Sequence, residues 1–371
     1  MVCLNNIKKI IIEKQAESAP LTQRVLDALP GLPVTWVDQG SVLPSQVETL
    51  SESKKILYLT CFKGELIKPC PGTKDYLCCG YQILHIGSNC PIDCSYCILQ
   101  AYFNQPYIRI FVNTDEIFLK LKTYAHKHQR EILRLGTGEF TDSLALDHLT
   151  GFSQLLSKEL SSCSNVWVEL KTKTAAIQNL IHSAPLRNII VSWSLNPQKI
   201  IGKEERWAAS LNERLEAAAV CQEKGYCLGF HFDPIFYFPG WEEAYQQTVR
   251  LLFSKIRPEK IAWISLGCFR FLPALKSIIQ ERNPKARYIH QEFIPALDKK
   301  MRYPQSIRVE IYRKLLHWIK AYGEGITVYL CMENASVWGK VFGIIPGIDH
   351  PTLKEMLDQR VLELWKKAFR G

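Results

Sequence analysis

The sequence has no long apolar run, and this absence narrows the kind of protein it encodes. No stretch approaches the ~20 apolar residues that a helix needs to cross a bilayer. The first six residues, MVCLNN, lack the charged segment and apolar core of a signal peptide. There is no internal repeat or low-complexity segment, and hydrophobic residues make up 47% of the chain, as in ordinary globular proteins. We therefore expect a globular, cytoplasmic protein that has no membrane partner.

Cysteine, in contrast, is abundant. The 371 residues include 13 cysteines, and seven of them lie between Cys61 and Cys97. Because cytoplasmic thiols are kept reduced, this clustering indicates metal or redox chemistry rather than structural disulfides. The net charge is +10, from 46 Lys and Arg against 36 Asp and Glu. That excess suits a polyanionic partner such as DNA or RNA, but it does not distinguish such a protein from one with an ordinary basic surface.

The most informative stretch is residues 90–97, CPIDCSYC, in which the cysteines have the spacing C-x3-C-x2-C. Three thiolates on one short loop can point at one centre, and four-iron clusters are held by cysteine thiolates, normally four of them. A loop with only three, Cys90, Cys94 and Cys97, leaves one iron open for a substrate or cofactor. A zinc site is the alternative, but zinc ligands usually come as pairs of cysteines or as cysteine with histidine.

In this motif the chain resembles the radical S-adenosylmethionine superfamily. The resemblance implies that Cys90, Cys94 and Cys97 hold a [4Fe-4S] cluster whose open iron binds S-adenosylmethionine. It also implies that an electron from the cluster cleaves this cofactor to a 5′-deoxyadenosyl radical. Such a protein needs an electron donor, for example a flavodoxin or a ferredoxin.

Short apolar runs alternate with amphipathic stretches after residue 81, which predicts a parallel sheet with helices packed outside it. The six predicted strands are residues 82–86, 132–135, 166–170, 189–195, 227–232 and 261–266. Six units fall short of the eight of a closed barrel. We therefore predict an α/β fold with a partial (β/α)6 TIM-type barrel, which the superfamily resemblance also implies. Residues 204–224 are predicted to form one helix.

The chain is expected to have three regions. Residues 1–80 form an N-terminal α/β extension with a cysteine-rich connector, and residues 40–53 are a linker within it. Residues 81–284 form the barrel. Residues 285–371 form a C-terminal segment with helices, a strand at residues 327–332 and a basic patch.

Polar residues follow the predicted strands, as expected if the carboxyl ends of the strands surround an active site. The second strand runs into residues 136–139, GTGE, which resemble the superfamily's Gly-Gly-Glu element. The resemblance implies that Gly136, Gly138 and Glu139 hold the amino group of S-adenosylmethionine, since small residues let the backbone approach a ligand and a carboxylate pairs with an ammonium. A glycine turn with a solvated glutamate is the alternative. Candidates for binding the carboxylate and ribose of this cofactor follow the next two strands: Lys173, Ser194 and Asn196.

A closer resemblance, covering residues 8 to 330, is to the spore photoproduct lyase family. The matching stretches are residues 94–113 (CSYCILQAYFNQPYIRIFVN), 147–150, 173, 194–196, 234–235, 240–241 and 300–303. The resemblance implies a radical enzyme that splits the thymine dimer of ultraviolet-irradiated spore DNA. It makes Tyr96 and Glu139 the candidate catalytic residues. The substrate and phosphate contacts that it implies are Lys299, Lys300, Arg302, Tyr303 and Arg308.

The chain departs from this family at two positions. The family carries a cysteine after the second barrel strand that donates a hydrogen atom to the repaired thymine. This chain has Glu139 or a near neighbour there, and no cysteine between Cys97 and Cys163. The family also has a tyrosine after the last cluster cysteine, where this chain has Ile98, although Tyr96 remains. Because a carboxylate cannot replace a weak S–H bond, we expect a different substrate or a different termination step.

Four further cysteines precede the cluster motif: Cys61, Cys70, Cys78 and Cys79. They could bind a second cluster or a zinc ion, or they could be free thiols, which are common in protein cores. Adjacent cysteines seldom bind one ion comfortably, which favours free thiols. Cys78 or Cys79 could supply the missing hydrogen atom if this segment folds over the mouth of the barrel.

Three functions are consistent with these patterns. The first is a radical enzyme that acts on DNA or another nucleic acid. The second is a radical enzyme that acts on a different substrate, and the third is a non-catalytic iron–sulfur protein that binds DNA or senses redox state. Retention of residues 300–303 favours the first, and the polar strand ends argue against the third.

Overall fold

A computed structural model describes residues 6–40, 49–72, 75–102 and 107–368. In chain order its strands are β1 (Lys9–Glu13), β2 (Val34–Val37), β3 (Ile56–Thr60), β4 (Ile67–Pro69), β5 (Gln82–Leu84), β6 (Gly87–Ser88), β7 (Asp93–Cys94), β8 (Ile108–Phe111), β9 (Leu133–Gly136), β10 (Val166–Thr172), β11 (Ile189–Ser194), β12 (Glu205–Arg206), β13 (Cys227–Ile235), β14 (Ile261–Cys268), β15 (Arg270–Phe271), β16 (Ile294–Pro295), β17 (Met301–Arg302) and β18 (Val328–Leu330). Its α-helices are α1 (Pro20–Ala28), α2 (Leu50–Ser53), α3 (Leu99–Tyr102), α4 (Thr114–Lys127), α5 (Asp147–Thr150), α6 (Phe152–Leu160), α7 (Gln178–Ile181), α8 (Gln198–Glu204), α9 (Leu211–Glu223), α10 (Trp241–Lys255), α11 (Pro273–Arg282), α12 (Gln305–Lys320), α13 (Ala335–Phe342) and α14 (Leu353–Ala368). Most of the predicted linker, residues 41–48, lies outside the described residues.

The main sheet has eight strands in the order β18-β14-β13-β11-β10-β9-β5-β4. All neighbouring strands are parallel except β4 and β5. The six strands between β18 and β4 are the six that the sequence predicts. The sheet is curled into a half-barrel with helices between its strands, so the predicted α/β fold class is confirmed. Within the described residues, no helix is both long and apolar enough to cross a membrane.

Two strands join this sheet from outside residues 81–284. Strand β4 pairs with β5, and Ile67 lies opposite Leu84. Strand β18 corresponds to the strand predicted at residues 327–332 and pairs with β14, where Val328 lies opposite Ile264. The sheet therefore continues across both predicted region boundaries, and those boundaries stay a prediction.

The central strands could be recognised because they are covered on both faces. Every residue of β11 (IIVSWS) and of β14 (IAWISLGC) is buried. Parallel strands whose two faces are both buried have nearly continuous apolar sequences. A second core lies in the N-terminal sheet, whose order is β2-β1-β3-β8-β6. There Ile10, Leu57 and Ile108 are buried together with Val25 of α1.

The prediction of one helix over residues 204–224 is wrong. The chain instead ends α8 at Glu204, forms the short strand β12, and begins α9 after Ser210. Ser210 and Glu213 form a reciprocal capping box, which satisfies amides that a continuous helix would have used internally. Strand β12 pairs with β7 of the cysteine motif, a contact between distant parts of the sequence. This break carries Glu205 into the candidate site.

Candidate active site

The three cysteines of the motif line one cavity of about 320 Å³. Cys90 and Cys94 are buried and Cys97 is half-buried, and all three are free thiols. Cys94 lies in β7, opposite Glu205 of β12. The Gln100 side-chain amide donates to the carbonyl of Cys97 at 3.1 Å, which helps to fix the turn that carries the last thiol.

The donor set fits a cluster better than a single metal ion. In the described part of the chain, no group of three or more His, Cys, Asp or Glu side chains is arranged to hold one metal ion. A four-iron cluster places each thiolate on a different iron, so its ligands need not converge on one point. Burial raises the pKa of Cys94 to about 12 and that of Cys90 well above its ordinary value. Iron would supply the positive charge that such buried thiolates need.

The residues of the GTGE turn that follows β9 occupy two different environments. Gly138 and Glu139 line the cavity, as the resemblance implies. Gly136, in contrast, is outside the described lining. A Cβ atom built on Gly136 would lie 1.3 Å from Tyr81 Oη. The lack of a side chain at Gly136 thus makes room for Tyr81, and a role for Gly136 in binding the cofactor stays a prediction.

Asp142 also lines the cavity, although it was not predicted from the sequence. Its carboxylate accepts hydrogen bonds from the amides of Leu144 and Ala145 at 3.0 and 2.9 Å and from the amide of Lys173 at 2.8 Å. The Thr172 hydroxyl donates to it at 2.7 Å. Asp142 therefore ties the loop after β9 to the end of β10. The Asx-type turn of a T-D-S sequence is the only sequence signal that could have suggested this role.

Glu205 contacts two of the predicted residues that line the cavity, Tyr96 and Lys173. Its carboxylate accepts hydrogen bonds from Tyr96 Oη and from Arg214, and Lys173 Nζ lies 3.4 Å away. The Asn196 amide donates to it at 3.3 Å. Burial raises the pKa of Glu205, but Arg214 and Lys173 outweigh that effect and lower it to about 2. Glu205 is therefore an anion that orders Tyr96 and Lys173.

Asn196 lies behind the cavity wall, and its predicted contact with the cofactor stays a prediction. Asn196 is fully buried and is not among the described residues that line the cavity. Its carbonyl accepts a hydrogen bond from Tyr245 at 2.8 Å, while its amide binds Glu205. Both ends of its side chain are engaged, so Asn196 supports the site from behind. Tyr96, Lys173 and Ser194 do line the cavity.

Cationic side chains form another part of the cavity wall. Arg270 binds Asp233 through both terminal nitrogens, at 3.1 Å each. Lys300 lies 3.7 Å from Asp298. Burial opposes the charge of Lys171, but Glu139 and Asp233 outweigh it and raise the pKa of that ammonium. Together with Lys173, the described lining of the cavity thus carries four cationic side chains, the others being Lys171, Arg270 and Lys300, beside the carboxylates.

The other predicted substrate contacts are placed differently. Arg302 is 1% exposed and pairs with Asp298, with one contact of 2.8 Å. Tyr303 is also 1% exposed, and its hydroxyl accepts the amide hydrogen of Tyr237 at 3.2 Å. Arg308 is buried and binds Glu333 at 2.9 Å. In this structure these three side chains are engaged by partners within the fold, and their role as substrate contacts stays a prediction. Lys299 is exposed.

The four cysteines before the motif do not form one site. Cys61 lies in the N-terminal sheet, where its thiol donates to the carbonyl of Gln15 at 3.6 Å. Cys78 is exposed, and a hydrogen bond from Cys79 lowers its pKa to about 6. Among these four thiols only that of Cys70 belongs to the described lining of the cavity. Among the described residues, no three of these thiols are arranged to hold one metal ion, and Cys78 and Cys79 lie outside the described lining.

Comparisons with known proteins agree with this site. The family model described as spore photoproduct lyase matches residues 78–312. A spore photoproduct lyase of Geobacillus sp. is 27% identical over 205 residues, which are 54% of this chain and 60% of that protein. One from Clostridium acetobutylicum is 22% identical over 290 residues, or 76% and 84% of the two chains. The match thus spans about 60% of the first relative's length.

Two solved structures have the same fold as this chain. One is a doubly substituted spore photoproduct lyase with bound AdoMet and dinucleoside spore photoproduct, at 22% identity and a TM-score of 0.77. The other is spore photoproduct lyase complexed with dinucleoside spore photoproduct, with the same identity and TM-score. In both cases the similarity covers 88% of this chain and 99% of the other.

Proposed function

Because the chain belongs to the spore photoproduct lyase family, and through that family to the radical S-adenosylmethionine superfamily, we propose that it is a radical enzyme. The observation that carries this proposal is that Cys90, Cys94 and Cys97 share one cavity with Glu139 and Lys173. Cys90, Cys94 and Cys97 would hold a [4Fe-4S] cluster, which would supply the electron for reductive cleavage of S-adenosylmethionine to a 5′-deoxyadenosyl radical.

The chain's own residues hold the cofactor through complementary charge. The Glu139 carboxylate binds the amino group of S-adenosylmethionine, and the Lys173 ammonium binds its carboxylate. Glu205 holds Lys173 in place from the buried side. The Ser194 hydroxyl, which also lines the cavity, binds the ribose.

The proposed substrate is a thymine photoproduct in DNA. Similar solved proteins hold the dinucleoside spore photoproduct, and the cationic side chains of Lys171, Arg270 and Lys300 reach the same cavity as the three thiols. Such side chains suit a substrate with an anionic backbone. The net charge of +10 has the sign that attracts DNA over longer distances.

Cys70 is the proposed hydrogen-atom donor that ends the reaction. Splitting a carbon–carbon bond leaves a carbon radical, and the weak S–H bond of a thiol can quench it. Burial raises the pKa of Cys70, so the thiol keeps its hydrogen at neutral pH. The hydrogen atom moves from Sγ to carbon and leaves a thiyl radical on Cys70, which one electron from the proposed flavodoxin or ferredoxin and one proton from solvent restore to the thiol.

A second candidate function is a radical reaction on a substrate other than nucleic acid. The specific observation in its favour is the burial of Arg302, Tyr303 and Arg308, which removes three of the expected contacts to DNA. A shift of labelled DNA by the protein that weakens steeply with salt would favour DNA over this alternative.

The electron donor is proposed to be a flavodoxin or ferredoxin, and the cytoplasmic location stays a prediction. If some of the extra cysteines bound a second metal or cluster, metal analysis of the protein would give zinc, or more than the four iron atoms of one cluster. Four iron atoms per chain, with no zinc, are expected.

Anaerobic reconstitution tests the cofactor assignment. With dithionite and S-adenosylmethionine, the protein should release 5′-deoxyadenosine. Cys94→Ala should lower cluster content and 5′-deoxyadenosine at least about tenfold. Cys163→Ala is the matched control, because Cys163 is a buried free thiol outside the described lining of the cavity. Equal activity of Cys94→Ala and the control would refute the assignment.

A further inference from the structure

A buried lysine reaches the cysteine loop from the N-terminal region of the chain. Lys54 directly follows α2 and is 3% exposed. Its ammonium donates a hydrogen bond to the carbonyl of Ile92 at 2.9 Å and lies 3.1 Å from the Asp93 carboxylate. Ile92 and Asp93 are two of the three residues between Cys90 and Cys94. The positively charged side chain of Lys54 therefore packs against the loop that carries the thiols.

Burial of this charge is unusual and needs compensation. An isolated buried ammonium is strongly unfavourable, and lysine is rarely buried without a partner. Asp93 supplies that compensation, since its carboxylate lies 3.1 Å from the ammonium. Asp93 is shared with Arg282, which binds both of its oxygens at 3.0 and 3.1 Å. Two buried or nearly buried cations from outside the loop thus pack against the Asp93 carboxylate, and the half-exposed Arg206 lies 3.8 Å from it.

We propose that Lys54 sets the reduction potential of the cluster by stabilising its reduced state; this rests on the cluster assignment proposed above. Reduction adds one electron to the cluster and makes its charge more negative by one unit. A fixed cation nearby therefore favours the reduced form, and the low dielectric of a buried site strengthens the effect. Hydrogen bonds and charges around the ligands are known levers on such potentials. Lys54 acts through the loop and the cluster and is a positioning residue, not one that touches the substrate.

The charge of Asp93 predicts the opposite effect. Removing the carboxylate would leave Lys54 and Arg282 without their shared counter-charge and would make the surroundings of the cluster more positive. Replacing Asp93 should therefore raise the potential, whereas replacing Lys54 should lower it. A role in packing alone would not give opposite signs for two partners of one ion pair.

The experiment is a redox titration of the reconstituted full-length protein without substrate, followed by the electron paramagnetic resonance signal of the reduced cluster. Lys54→Met should lower the reduced-to-oxidised ratio at a fixed potential about tenfold, equivalent to about 59 mV for a one-electron couple. Lys54→Arg keeps the charge and should stay close to the wild type. Lys55→Met is the matched control, because the neighbouring Lys55 pairs with Glu52 at the surface. Asp93→Asn should shift the potential upward.

Each result decides the proposal. An unchanged potential in Lys54→Met, or equal shifts in Lys54→Met and Lys54→Arg, would overturn it. If Lys54→Met binds no iron, Asp93→Asn decides: a higher potential supports the proposal, and an unchanged or lower one overturns it. Failure of the wild-type protein to bind a four-iron cluster would instead refute the proposed function, so the two failures are distinguishable.

Discussion

Glu205 connects four side chains of the candidate site through one carboxylate. Tyr96, Lys173, Asn196 and Arg214 all contact it. Arg214 is fully buried and also donates to the carbonyl of Ser194 at 2.9 Å. Because a buried guanidinium needs an anion beside it, the site depends on this carboxylate for stability as well as for orientation.

Glu205→Gln should therefore destabilise the protein by about 3 kcal/mol at pH 7, since it leaves Arg214 buried without its counter-charge. The pKa of Glu205 is about 2 when folded and roughly 4.3 when unfolded. Its contribution is present above the unfolded value and is lost as the pH falls towards 2. Urea unfolding should show a constant difference from the wild type between pH 7 and 5 and a shrinking one below pH ~4. A difference that grows in acid would contradict this assignment.

Cys70→Ala should separate radical formation from product formation. With the dinucleoside spore photoproduct, 5′-deoxyadenosine should persist while thymidine falls about tenfold or more, because the carbon radical loses its hydrogen donor. In D₂O the wild-type thymidine should carry solvent deuterium, since a thiol exchanges its hydrogen with solvent. Cys61→Ala is the control, because Cys61 lies in the N-terminal sheet. Equal thymidine yields from the two variants would rule out Cys70.

At the scale of elements, the short strand β12 matters most to the site. It is only two residues long, yet it pairs Glu205 with Cys94 and Arg206 with Asp93. The Ser95 amide also donates to the carbonyl of Glu204 at 2.8 Å. These contacts attach the cysteine loop to the segment between α8 and α9 and bring Glu205 against Tyr96 and Lys173, which line the cavity.

Close packing at the end of β9 leaves no room for a side chain on Gly136. Gly136→Ala should cost about 1–3 kcal/mol or more, because its new methyl group would overlap Tyr81 and force the strand apart. Gly202→Ala is the control, since a Cβ atom on Gly202 of α8 meets nothing within 4 Å. That change should stabilise the helix by up to about 1 kcal/mol. Unfolding midpoints in urea measure both, and equal midpoints would contradict the packing argument.

Elements that repeat a local pattern could be predicted from the sequence, whereas those made by distant pairing could not. The six central strands carry continuous apolar runs, and the GTGE turn and the cysteine motif are contiguous in the chain. Strands β12, β15 and β17 are two residues long and exist only through their partners. For the same reason, the burial of Arg302 could not be predicted. Its counter-ion Asp298 is near in sequence, but its enclosure depends on Tyr76, whose ring lies 4.6 Å away.

The residues proposed for the reaction lie at the carboxyl ends of the strands of the main sheet, whereas a stabilising contact lies at the amino end. The cavity residues Lys173, Ser194 and Asp233 lie at or near the carboxyl ends of β10, β11 and β13. At the amino end of β14, Arg360 of α14 donates to the carbonyls of Ile261 and Ala262 at 2.6 and 3.1 Å. Barrel proteins commonly divide the two tasks between the two ends in this way.

Arg360→Met should therefore destabilise the protein by about 1–3 kcal/mol, because two buried carbonyl groups lose a charged donor. The amount of 5′-deoxyadenosine formed per bound cluster should not change. Arg313→Met is the control, since Arg313 donates to Lys340 at the surface and should cost much less. A loss of cofactor cleavage in Arg360→Met at a temperature where it is folded would contradict the separation.

The most direct test of the whole account is one chromatogram. Reduced, reconstituted protein is incubated with S-adenosylmethionine and dinucleoside spore photoproduct, and 5′-deoxyadenosine and thymidine are quantified. We predict both products, with thymidine formed over several turnovers. 5′-Deoxyadenosine without thymidine would contradict the proposed substrate, and neither product from protein with an intact cluster would contradict the radical reaction itself.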